Sequence, residues 1–177
     1  MIPPAEPSTV AEPSTVAEPS TRAIDAIRGT GVAHRVVTTA SAGSAAESAE
    51  LQGIPVGALL RTIVVRRAED DYVFVLVPAG RRFDWPRLRT HLGVSRLSLP
   101  DADEALAVTG YERYTITPFG ATRRWPVIVD AAAMAEVVVS VGGGALGVNL
   151  HIAPADLVMG LSAVVVDVSV TAKVSPE

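Results

Sequence analysis

The 177-residue sequence contains no cysteine. Disulfides and thiolate metal sites are thereby excluded, and a reducing cytoplasm is the compartment such a chain suits. Aromatic residues are scarce, with three Phe, three Tyr and two Trp. The core must then be built from Val, Leu, Ile and Ala, and a hydrophobic share of 49% suffices for one domain with a core of its own. Lysine is nearly absent, since Lys173 stands alone beside an otherwise arginine-only basic set. Long apolar runs are missing too. The longest uncharged stretch, 137–155, holds four glycines, Asn149, His151 and Pro154 and alternates in polarity. A bilayer helix needs about 20 predominantly apolar residues, so no membrane span is expected. The first residues lack the cationic and apolar regions of a secretory leader.

The net charge of −4 overstates the acidity of the body, because Glu6, Glu12 and Glu18 lie in a terminal repeat. Arginine pairs at 66/67, 81/82 and 123/124, with Arg87 and Arg89 nearby, read either as a solvated face or as phosphate contacts. Charge alone does not argue for nucleic acid, and DNA is not an expected partner. The repeat runs Ala5-Glu6-Pro7-Ser8-Thr9-Val10, then 11–16, then 17–21. A proline every six residues interrupts helix and ladder alike, and little in it is apolar enough to bury. Residues 1–20 are therefore expected to form a disordered or polyproline-like tail, or to reflect a misassigned start. Residues 21–172 form the folded domain and 173–177 a short C-terminal tail.

Local signals punctuate the body. Ser20 or Thr21 caps a helix through Arg28 that Gly29 closes, and His34 to Val37 reads as a strand. Ser44-x-x-Glu47 is a capping box for a helix that Gly53 and Pro55 end. Residues 62–65 and 72–77 are β-rich and joined by Ala68-Glu69-Asp70-Asp71, a hairpin. Asp84 caps a helix with Pro86 in its first turn, ending near Gly93, and 96–99 follows as a short strand. Asp101-x-x-Glu104 is a second capping box, with Gly110 as terminator. Strands are expected at 127–129, 137–141 and 148–152, then a short helix after Pro154 and a strand over 164–170. Hairpins and crossovers together imply an α/β fold with a mixed sheet.

Several chemistries find little support. Gly142-x-Gly144-x-x-Gly147 matches a dinucleotide fingerprint, but alternating Val148-Asn149-Leu150-His151-Ile152 follows it where a helix is required. A glycine loop admitting close approach of a ligand or another backbone is the better reading. No G-x-S-x-G is present, and His34, His91 and His151 read as edge or surface residues without a triad. Neither paired histidines nor an acidic cluster outside the 69–71 turn suggests a metal.

Arg61 differs from the other arginines because it enters the apolar run Ile63-Val64-Val65. It is either a strand-entrance charge that snorkels to water or a fixed cation at a pocket mouth. Thr117-Pro118-Phe119-Gly120 is either a simple turn or a loop aiming backbone N–H groups at a carbonyl oxygen. Asp130 either orients that loop or caps the Ala-rich segment after it.

In this order, Leu60 to Val65, Thr109-Gly110-Tyr111 through Gly120, Pro126 to Asp130 and Gly144-Ala145-Leu146-Gly147 carry a resemblance. From about Thr21 to Val170 the chain resembles the YbaK-like family of aminoacyl-tRNA deacylases, free-standing relatives of the prolyl-tRNA synthetase editing domain. The resemblance implies a single α/β domain, a curved mixed sheet with several short helices around it. It implies hydrolysis of the ester of mischarged tRNA, such as Cys- or Ala-tRNA(Pro), without cofactor, metal or protein nucleophile. Water, or in some members the substrate's own side chain, attacks. The implied partner is the aminoacylated acceptor end of tRNA, with an aminoacyl-tRNA synthetase as a further candidate. Carried over residue by residue, the resemblance makes Arg61 the candidate catalytic residue. It makes Thr62, Tyr114, Thr115, Ile116, Thr117, Pro118, Gly120, Asp130, Gly144 and Gly147 candidate substrate-binding positions. Two positions depart from the family: its lysine is Arg61 here, and a loop glycine is Tyr114. Arginine keeps the charge but stays protonated, so it can hold a phosphate and not relay a proton. The alternative is a catalytically inactive module of the same fold that binds an aminoacyl or nucleotide ligand.

Overall fold

A computed structural model describes residues 18–172; the expected tails before Glu18 and after Ala172 lie outside the described residues. The elements follow as α1 (Arg22–Thr30), β1 (Arg35–Thr38), α2 (Ala45–Gln52), β2 (Leu60–Ala68), β3 (Asp71–Pro78) and β4 (Arg81–Phe83). Then come α3 (Trp85–Leu92), α4 (Ala102–Thr109), β5 (Val127–Asp130), β6 (Val139–Gly142), β7 (Val148–Ile152), α5 (Pro154–Leu161), β8 (Val164–Val166) and β9 (Ser169–Thr171).

Helix starts follow from short polar side chains that satisfy otherwise unpaired N–H groups. Thr21, Ser44, Asp84 and Asp101 each accept a hydrogen bond from an amide three residues on. Two expectations shift here. Helix α1 runs past Gly29 and ends at Gly31, which takes the left-handed conformation with φ 72°. In neither capping box does the glutamate reach back to its own cap residue: Glu47 accepts from the Gly43 amide at 2.7 Å, and Glu104 turns to Arg66 and Tyr72.

Strands β2, β3, β5 and β8 make a mixed sheet, with β2 and β3 antiparallel and the β3–β5 and β5–β8 pairs parallel. Strands β1, β7 and β6 make an antiparallel sheet in that order, and β4 pairs with β9. A single parallel bridge between Leu59 and Ser140 joins the first two sheets along a seam. The expected strand at 96–99 reduces to one pairing of Ser98 with Arg66. The expected strand over 164–170 is broken into β8 and β9, because the Val168 amide leaves the ladder to donate to Asp130 Oδ2 at 3.0 Å.

Alternation along β2 and β3 gives the sheet two apolar faces. Leu60, Val64, Phe74 and Leu76 join the larger core with β6, β7, α1 and α5, while Val65, Val73, Val75 and Val77 pack with Leu88 and Val168. The fold is a single α/β domain built on a mixed sheet, as the combination of hairpins and crossovers implied. Among the described residues no helix is long and apolar enough to cross a membrane.

Candidate active site

A cleft of about 920 Å³ lies over the seam where β6 meets the start of β2. Its walls are the 39–48 segment, residues 59–63, the loop at Arg113, Tyr114 and Ile116, and the β6–β7 turn. This is the size of a small-ligand site. Among the sequence candidates, Arg61, Thr62, Tyr114, Ile116 and Gly147 border it. Thr115, Thr117, Pro118, Gly120, Asp130 and Gly144 do not.

The Arg61 side chain is exposed, and its Nη2 donates to the Arg81 carbonyl at 2.8 Å. Alternation puts it on the sheet face opposite Thr62, and the residue stands at the rim of the cleft. Thr62 shares the inward face of Leu60 and Val64, and its hydroxyl is buried without a hydrogen-bond partner among the described residues. An unmade bond of this kind costs about 1–3 kcal/mol. Thr62→Val should therefore raise stability by about 1 kcal/mol in urea unfolding while weakening ligand binding. A destabilised variant would show that the hydroxyl has a structural partner.

Tyr114 occupies a left-handed conformation, φ 70°, that glycine would adopt without strain. The residue is 81% exposed, and the Arg113 guanidinium lies 5.0 Å from its ring centroid. The side chain thus stands at the cleft mouth and leaves the backbone in the turn a glycine there would take. Thr115 continues the turn, its amide donating to the Glu112 carbonyl at 3.0 Å.

The loop beyond is tightly packed. Thr117 is fully buried, and Tyr111 Oη donates to the Phe119 carbonyl at 2.7 Å. A Cβ on Gly120 would stand 2.5 Å from the Arg22 carbonyl oxygen, so this glycine lets α1 approach the loop. Gly144 likewise admits Tyr111 and Ala23. Asp130 takes the cap role: Oδ1 accepts from the Ala132 amide at 2.9 Å while Oδ2 holds Val168. The 142–147 glycines form a turn between antiparallel strands, not a helix start.

A buried polar row escaped the sequence reading, which placed His151 at an edge or surface. His151 is only 4% exposed. It pairs across the sheet with Arg35 on one side and Ser140 on the other. Its Nε2 lies 2.9 Å from Gln52 Oε1, and Ser140 Oγ donates to that same oxygen at 2.6 Å. Burial, and then the Arg35 charge, hold the imidazole below the usual histidine range. The signal was there in part: a serine interrupts Val137-Val138-Val139-Ser140-Val141, and a histidine sits at the alternate position of β7.

A second hollow of about 800 Å³ lies around the β2–β3 turn. There Arg66 pairs with Glu104 and Arg67 with Asp71, while Glu69, Asp70, Arg89 and Arg96 also line it.

The seam, the cleft and the glycine turn beside it define a single-domain α/β protein with a candidate ligand site between its sheets. Residues 39–159 match the aminoacyl-tRNA editing domain family, a span that contains every cleft residue. The chain belongs to that family, the YbaK-like group of the sequence reading, and its membership points to aminoacyl-tRNA editing. It is 25% identical over 111 residues to the "Putative Cys-tRNA(Pro)/Cys-tRNA(Cys) deacylase EbsC" of Enterococcus faecalis, covering 63% of this chain and 68% of that protein. The solved structure of "a putative trans-editing enzyme for prolyl tRNA synthetase" aligns with TM-score 0.79 and 23% identity, over 86% of this chain and 99% of that one. Hypothetical protein APE2540 aligns with TM-score 0.78 and 24% identity, over 85% of this chain and all (100%) of that one. At such identities the structural likeness concerns the fold.

Proposed function

We propose that this protein is a trans-editing deacylase that hydrolyses the ester of mischarged tRNA, with Cys- or Ala-tRNA(Pro) as the substrate class. The cleft carries this reading: it lies wholly within the span matched to the editing family, and small polar side chains and a glycine turn line it. An aminoacyl group would enter over the seam beside Thr62, with the terminal nucleotide toward Arg61 at the rim. Ile116 borders the cleft, and its amide donates to no backbone carbonyl among the described residues. It is a candidate donor for the ester oxygen as negative charge develops there. Water or the substrate's own side chain is the nucleophile. The cytoplasm is the compartment in which such a substrate is met.

Arg61→Ala removes a charge-assisted contact to the tRNA terminus, and deacylation should fall about 10- to 100-fold with folding retained. Arg61→Lys should keep most of the activity. Steady-state rates on a panel of mischarged tRNAs provide the measurement, and full activity in the alanine variant would remove Arg61 from the site.

Two observations favour a second reading, a non-catalytic module that binds an aminoacyl or nucleotide ligand. Arg61 already spends a donor on the Arg81 carbonyl, and Tyr114 stands at the mouth. Binding of an aminoacyl-adenosine analogue, with no turnover of any mischarged tRNA, would establish that reading.

A further inference from the structure

Five side chains in and beside the cleft wall have a hydrogen-bond direction that the chemistry of one of them fixes. Arg35 is donor-only, and its Nη2 lies 3.2 Å from His151 Nδ1. That nitrogen must accept, so in the neutral ring the proton is on Nε2. Nε2–H then donates, and the atom it meets at 2.9 Å must be the carbonyl oxygen of Gln52 and not its amide nitrogen. This settles the orientation of the Gln52 side chain. Ser140 Oγ, 2.6 Å from that oxygen, is consequently a donor to it, which leaves only lone pairs on Oγ for anything else. Gln52 Nε2 in turn donates to Ser48 Oγ at 3.0 Å, so the Ser48 hydrogen stays free. Ser48 and Ser140 both border the cleft, whereas Gln52 does not. Ser140 and Gln52 are 1% and 7% exposed, so bulk water does not reorient the row.

We propose that Gln52, aimed by His151 and Arg35, polarises the cleft wall so that Ser140 is an acceptor for the α-ammonium of an aminoacyl group and Ser48 a donor to an oxygen of the same ligand. The inference rests on the deacylase reading only for the identity of that ligand. Ser140 is then a specificity residue for a free amino group, and Gln52 a positioning residue that acts through the two serines. A ligand whose amine is acylated offers Ser140 a weaker, uncharged donor and added bulk. It should bind worse by about 10- to 100-fold, the effect of losing a charge-assisted hydrogen bond.

The test is calorimetric binding to the full chain of a non-hydrolysable 3′-aminoacylamino-adenosine and of its N-acetyl derivative. The free amine should bind about 10-fold or more tightly, and Ser140→Ala should bring the two affinities together. Gln52→Glu offers a further separation. A carboxylate still accepts from Ser140 but also takes the Ser48 hydrogen, so preference for the free amine should persist while overall affinity falls. Nitrogen-15 NMR of the imidazole should show the Nε2–H tautomer of His151 in the wild type. In Gln52→Glu the titration should move upward, because the ring then meets a negative charge. Equal affinities for the free and acetylated ligands, or a proton on Nδ1, would overturn the proposal. A wild type that discriminates between the two ligands yet hydrolyses no aminoacyl-tRNA would leave the proposal standing and defeat the deacylase reading instead.

Discussion

Gly147→Ala should lower the melting temperature by roughly 5–12 °C and abolish function at the cleft. Gly147 has φ +70°, a conformation that costs other L-residues about 1–2 kcal/mol. The steric term is larger still. An added Cβ would stand 2.4 Å from the Thr39 carbonyl oxygen, which belongs to the backbone and cannot rotate aside. The Thr39 amide meanwhile donates to the Gly147 carbonyl at 2.8 Å, so relief of the clash breaks the bond that anchors the 39–48 wall. Together these terms come to about 2–4 kcal/mol. Thermal unfolding monitored by circular dichroism checks the result, and a shift under about 2 °C would show that the turn and the wall separate freely.

Asp130→Ala should cost about 3–5 kcal/mol, enough to unfold a marginal domain. The carboxylate is fully buried and satisfies two amides from different parts of the chain, Ala132 and Val168. Removing it leaves the buried Val168 amide without a partner, at about 1–3 kcal/mol, strips the half-buried Ala132 amide of its cap at a smaller cost, and leaves a small cavity. Asp130→Asn keeps one acceptor but turns an NH₂ group toward the other amide, so it should fall between wild type and alanine. Urea unfolding orders the three proteins. If the alanine variant unfolds at the wild-type midpoint, the two hydrogen bonds contribute nothing net.

What the sequence disclosed was whatever depends on near neighbours. Ser44, Asp84 and Asp101 announced helix starts because a cap acts over three residues. The β2–β3 hairpin was legible because its turn and both strands lie within one short window. The family resemblance carried the mixed sheet and placed Thr62, Tyr114 and Gly147 at what proves to be one cleft. Contacts between distant segments were not legible. His151 looked peripheral because its partners Gln52 and Arg35 stand 99 and 116 residues earlier. Arg61 looked free because nothing local indicates a bond to the Arg81 carbonyl. The final strand looked continuous because no local residue shows that Val168 turns away to a carboxylate 38 residues before it.

The place of Val168 also bears on how the domain forms during synthesis. Strands β3 and β5, the centre of the mixed sheet, leave the ribosome well before β8 and β9. Until residue 168 emerges, Asp130 can be buried only with one oxygen unmatched, and β4 has no partner strand until 169–171 follow. A nascent chain ending before this point holds a charged group at the end of its central strand and an open sheet edge beside it. Closure of the fold is therefore coupled to the emergence of residues 168–171, which act as its latch.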